Sequence, residues 1–134
     1  MREKTIENAK ITGTKISMED HGCLTFDLVV EGKGWGCCVG GYAIGHGYLN
    51  SDYWDATGAG LVAMMKIMNT VGVSKWEDLK GKYIRVETEG WGGTITKIGH
   101  LIDDNWFDLQ DFFKNVDHGT RCILDEREEE DEEV

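Results

Sequence analysis

The sequence has no proline, no run of apolar residues near the roughly 18 needed to cross a bilayer, and no C-x-x-C or H-x-x-x-H pair. Each absence removes a class. Without proline and without a Gly-X-Y period, collagen-like chains and proline-rich linkers are excluded. Without an apolar stretch after Met1-Arg2-Glu3-Lys4-Thr5, nothing reads as a secretory leader or a membrane anchor, and a cytosolic protein is expected. That compartment in turn predicts free thiols at Cys23, Cys37, Cys38 and Cys122. Cys37 and Cys38 would point to opposite faces of a strand, so they do not serve one site.

What remains fits one acidic α+β domain of 134 residues with a net charge of -11. The charge is uneven. Residues 125–133 hold eight acids and one base, which leaves 17 acids against 13 bases in residues 1–124. The division is therefore a body, 1–124, and an acidic tail, 125–134, with too little apolar surface to order itself. Asp125, Glu126, Glu128, Glu129, Glu130 and Asp131 suit a basic partner surface and disfavour direct contact with nucleic acid, whose affinity comes from Lys and Arg at phosphates.

Ile6 to Met18 alternates irregularly around Gly13 and reads as one bent strand or two short ones, with a bulge at the glycine. Glu19-Asp20-His21-Gly22 supplies a turn. Leu24, Phe26, Leu28 and Val30 then share one face of a clear strand. A second turn, Glu31 to Gly34, leads into a third strand over Trp35–Tyr42. Residues 40–60 are rich in glycine and aromatics without a clear period, as expected of a functional loop.

From about Thr57 to Val71, Leu61, Met64, Met65, Met68 and Val71 recur at helical spacing, with Ile67 widening the stripe. Ser74 and Glu77 have capping-box spacing before a short helix ending at Gly81, which Trp76 and Leu79 would anchor. Ile84 and Val86 mark a fourth strand, and Thr94–Ile102 returns as a fifth. Trp106, Phe107, Leu109, Phe112 and Phe113 read as an aromatic helical segment, with Asp108 favouring its N-terminus. The order β-β-β-α-β-β-α predicts a mostly antiparallel sheet with helices packed on one face.

No local pattern supports catalysis, a cofactor or a metal. The glycines of residues 40–47 match neither a P-loop nor G-x-G-x-x-G, although the helix start at Thr57–Gly60 is a second place for an anion. Glu19-Asp20-His21 is better explained as a turn than as an acid–base pair, because neighbours in a turn seldom converge on one point. A metal site from Cys37, His46 and His21 would lack any local ligand pair. The aromatics point to binding instead. Trp35, Tyr42, Tyr48, Tyr53, Trp54 and Trp91 lie beside glycines or in the loop, as interface anchors do. They equally suit covers for a sheet face thinned by glycine.

Glu19-Asp20-His21-Gly22, Gly40-Gly41-Tyr42-Ala43, Val71-Gly72-Val73 with Trp76-Glu77-Asp78-Leu79, Gly81-Lys82-Tyr83 with Arg85-Val86, and Trp106-Phe107 together carry a resemblance. Through them the body resembles a widespread group of short proteins encoded by bacteriophages and prophages. The resemblance implies a setting and no mechanism, since that group has no catalytic motif to carry over. The expected function is a non-enzymatic accessory protein in the host cytoplasm. It would bind a host protein, such as a basic nucleic-acid-handling enzyme of a defence system, through acidic surface. The alternative is a small-ligand binder, for a nucleotide signal, built on residues 40–60.

Overall fold

The computed structural model describes residues 4–20, 22–47, 52, 54–56, 58–89 and 94–115. Seven antiparallel strands form a single sheet in the order β4-β3-β2-β1-β5-β6-β7. They are β1 (Lys4–Asp20), β2 (Cys23–Gly32), β3 (Trp35–Gly47), β4 (Trp54–Ala56), β5 (Tyr83–Glu89), β6 (Ile95–Gly99) and β7 (Trp106–Asp108). Helix α1 (Gly58–Val71) and a 3-10 turn (Trp76–Leu79) lie between β4 and β5, and α2 (Leu109–Lys114) follows β7. The molecule is thus α+β and mostly antiparallel, but the order of elements differs from the sequence expectation. Two edge strands were hidden: β4 inside the supposed loop, and β7 inside the supposed aromatic helix.

β1 is the axis of the sheet. Its residues from Lys10 to Asp20 pair with β2, and those from Lys4 to Lys10 pair with β5. The β1–β2 register slips between Ile11 and Gly13, where the sequence placed a bulge. Phe26, Leu28 and Val30 are buried while Asp27 and Val29 between them are not, as period two requires. Ile84 and Val86 repeat the pattern on β5. These side chains form one core cluster with Ala63, Ile67 and Val71 of α1, Leu79 of the 3-10 turn, and Leu109 of α2.

The helical period of α1 is legible in the sequence, and its buried face is the expected one in part. Ala59, Gly60, Ala63, Ile67, Thr70 and Val71 are buried, Met64 and Met68 pack partly against the core, and Leu61 and Met65 stay outside. Small residues decide this. A Cβ on Gly60 would lie 2.3 Å from Ile44 Cγ2 and 2.5 Å from the Ala43 carbonyl, so the helix backbone rests directly on β3. That close approach turns Leu61 and Met65 away.

The capping box is also absent. Lys75 is the N-cap and makes no side-chain bond, because the four-residue turn closes on its own backbone through Asp78 N–H to Lys75 O at 3.1 Å. Gly81, at φ +94°, donates to Ile11 O at 2.7 Å, and Ile11 N–H donates to Lys82 O at 2.8 Å. These bonds fasten the turn to β1. Asp108 does cap α2, its Oδ1 accepting from Asp111 N–H at 2.9 Å. No helix among the described residues is long and apolar enough to cross a membrane.

Candidate functional site: an aromatic cleft and an exposed apolar ridge

Two glycines shape the middle of β3. Gly40 and Gly41 have φ of +127° and +78°, and the β2–β3 register slips there. A Cβ on Gly40 would meet Phe26 O at 2.4 Å, so only glycine fits. Beyond this kink Tyr42 faces Phe26, with ring centroids 6.3 Å apart, and stacks on Phe113 of α2 at 3.7 Å and 8°. Between strand and helix opens a cleft of about 620 Å³ lined by Tyr42, Ala43 and His46 on one side and Gln110, Phe113 and Lys114 on the other. Burial, and then the charge of Asp108, pushes the Tyr42 phenol above its usual range, so it remains a neutral hydroxyl.

Three tryptophans share one device. Trp35 pairs across the strands with Gly32, Trp54 with Gly47, and Trp106 with Gly99. In each pair a Cβ on the glycine would fall within 2.6 Å of the indole, so the ring lies flat over its partner. An aromatic thereby covers backbone that glycine leaves bare. Trp35 also donates Nε1–H to Glu7 Oε1 at 3.1 Å, spanning β2 to reach β1. Trp106 takes the Arg85 guanidinium at 4.8 Å from its ring and Lys97 at 5.7 Å.

A second feature lies at the end of α1. The loop 100–105 is held by its own polar groups: His100 N–H donates to Asn105 O, and His100 Nδ1 accepts from Ile102 N–H at 3.1 Å and Asp103 N–H at 3.0 Å. Arg85 adds bonds from Nε to His100 O at 2.8 Å and from Nη2 to Asp103 O at 2.7 Å. An Nδ1 that accepts two donors carries no proton. The 3.8 Å approach of Asp103 Oδ2 to it is therefore not an ion pair in this state. Asn105 Nδ2 reaches Asn69 O of α1 at 3.4 Å and ties the loop to the helix. On this fixed backbone Ile102 is 80% exposed, and on α1 Met65 and Leu61 are 60% and 48% exposed.

Asp27 lies opposite Gly40 on the neighbouring strand. Burial pushes its carboxyl above the usual range, while Lys15 and the Gly41 N–H pull it partly back. An acid weakened by folding gives up its proton more readily in the unfolded chain. Its contribution to stability is therefore greatest below the unfolded carboxylate range and falls as pH rises to the raised folded value. Asp27→Asn, which keeps an oxygen for Gly41, is expected to raise Tm at neutral pH and change it little near about pH 3. A lower Tm at neutral pH would mean that the attraction of Lys15 outweighs burial.

The residues singled out in the sequence do not form one patch. Tyr42 lines the cleft, Trp54 is 57% exposed on edge strand β4, and Trp35 is half-buried at the far end of β3. Tyr48, Tyr53, Trp91 and the acidic residues from Asp125 to Asp131 lie outside the described residues, as do His21, Thr57 and Cys122. Cys37 and His46 sit nine residues apart along β3, roughly 30 Å in an extended strand, and so do not meet. Among the described residues no three His, Cys, Asp or Glu side chains are placed to hold a metal, and Cys23, Cys37 and Cys38 are free. In the sequence His46 stands out only as a metal-ligand candidate and as one residue of the 40–60 loop. Gln110, Phe113 and Lys114 were missed because they join the cleft only through tertiary packing. Compared with family models, curated proteins and solved structures, the chain matches none.

Proposed function

We propose that the protein acts by binding a protein partner rather than by catalysing a reaction, with the exposed apolar side chains of Leu61, Met65 and Ile102 as contacts. The observation that carries this reading is Ile102, 80% exposed on a loop pinned by Arg85 and His100. A large apolar side chain on ordered backbone can be buried by a partner without ordering that backbone, which removes one of the costs of association. In the setting the resemblance implies, the partner is a host protein with a basic nucleic-acid-handling surface. The acidic residues 125–131 would then steer association more than they hold the complex.

Affinity purification of the tagged protein from host cells tests the reading. Ile102→Asp combined with Met65→Asp is expected to reduce partner recovery at least about tenfold, since hot-spot losses reach 2 kcal/mol or more. Tm should stay nearly unchanged, because both side chains are already in water. Removing residues 125–134 should instead flatten the salt dependence of association. Equal recovery of partner by the wild type and the double variant would refute these contacts.

A further inference from the structure

We propose that the cleft between β3 and α2 is a binding site for a planar aromatic ring bearing an anionic group. Its volume of about 620 Å³ falls within the usual range for small-ligand sites. Two features of its lining decide the class of ligand.

The first is the pair Tyr42 and Phe113, stacked at 3.7 Å. Both rings are held from behind, Tyr42 by Phe26 and Phe113 edge-on by Phe112 at 5.0 Å. A ligand ring packed along the edge of this stack orders no side chain that is not already ordered. The Tyr42 hydroxyl stays neutral and adds no charge against an anion.

The second is the charge of the rim. Lys114 and His46 line the cleft from opposite sides, and no Asp or Glu is among its described lining residues. In a body of net negative charge, a cleft whose described lining carries a lysine and no carboxylate is complementary to an anion. Asp108, whose charge acts on Tyr42, is engaged with the Asp111 N–H as the cap of α2. Gln110 supplies an amide for polar edges of the ring. Nucleoside monophosphates and aromatic carboxylates share this chemistry.

The test is amide and aromatic NMR titration of the full chain with AMP, UMP and indole-3-acetate. Two controls separate the halves of the ligand: adenosine, a ring without charge, and inorganic phosphate, a charge without a ring. AMP, UMP or indole-3-acetate is expected to shift Tyr42, His46 and Phe113, with phosphate alone ineffective. Binding of the nucleotides only would assign the site to nucleotides, and of indole-3-acetate only to aromatic acids; either supports the site. Lys114→Ala, at an exposed position, should weaken the anionic ligands about tenfold and leave adenosine unchanged. Ile102 is not among the described residues lining the cleft, so Ile102→Asp should leave these titrations intact. Three results would overturn the proposal: no shift with any compound at millimolar concentration, equal shifts with phosphate alone, or affinities that ignore Lys114→Ala.

Discussion

Phe26→Ala is expected to lower the unfolding free energy by about 4 kcal/mol, the centre of the range for removing a buried aromatic ring. Phe26 has no exposed surface and stands in the middle of β2, with Trp76 edge-on at 5.9 Å and Tyr42 at 6.3 Å. Leu28 and Val30 share its face, but they are already fully buried at their own positions and cannot close the gap. A domain of this size is typically stable by about 5–15 kcal/mol, so the variant should be marginal. The damage also reaches the cleft, because Tyr42 loses the ring behind it. Urea denaturation should show a large fall in midpoint with little change in slope. A loss below about 1 kcal/mol would show that the ring is not packed as described.

Gly60→Val is the second large effect. Valine gains back about 0.5 kcal/mol of helix propensity over glycine, yet overpacking a tight contact costs about 1–3 kcal/mol or more. The contact decides which wins. The nearest atoms to the new Cβ include the Ala43 carbonyl and Ile44 Cα, at 2.5 and 3.1 Å, and backbone cannot swing aside as a side chain can. A net loss of about 2–3 kcal/mol is expected, with Ala43 shifted out of the cleft lining. Leu61→Ala, one residue along the same helix but facing water, should change stability by less than about 0.5 kcal/mol. If the two variants behaved alike, the small-residue contact between α1 and β3 would be wrong.

These two positions also show what the sequence could reveal. Phe26 was legible because β2 alternates cleanly, and the same regularity exposed β5 through Ile84 and Val86. α1 is legible as a helix, and of the apolar stripe Leu61, Met64, Met65, Ile67, Met68 and Val71 the structure turns Leu61 and Met65 outward. Contact distance, which hydrophobicity does not encode, brings Gly60 and Ala63 to the inner face. β3 was cut short at Tyr42 because its glycines carry no pattern, though they continue the strand to Gly47. β7 resembles helix in the sequence because Trp106 adjoins other aromatics; its signal is Gly99, the bare position that Trp106 covers on β6. Of the cleft only Tyr42 was singled out for binding, and the residues opposite it come from a helix more than sixty positions away in the chain.

The central place of β1 has a consequence for the order in which the chain can assemble. Lys10 to Asp20 find their partners just across a tight turn, so β1, β2 and β3 can zip together from local contacts. Lys4 to Lys10 must wait for Tyr83 to Glu89, more than seventy residues downstream. Until β5 has been synthesised and delivered, the strand that ends in the middle of the sheet is an open edge. Such an edge invites pairing with another chain. Lys4, Glu7 and Lys10, spaced along that half strand, put charge on both of its faces throughout the interval, and such charge disfavours pairing with another chain.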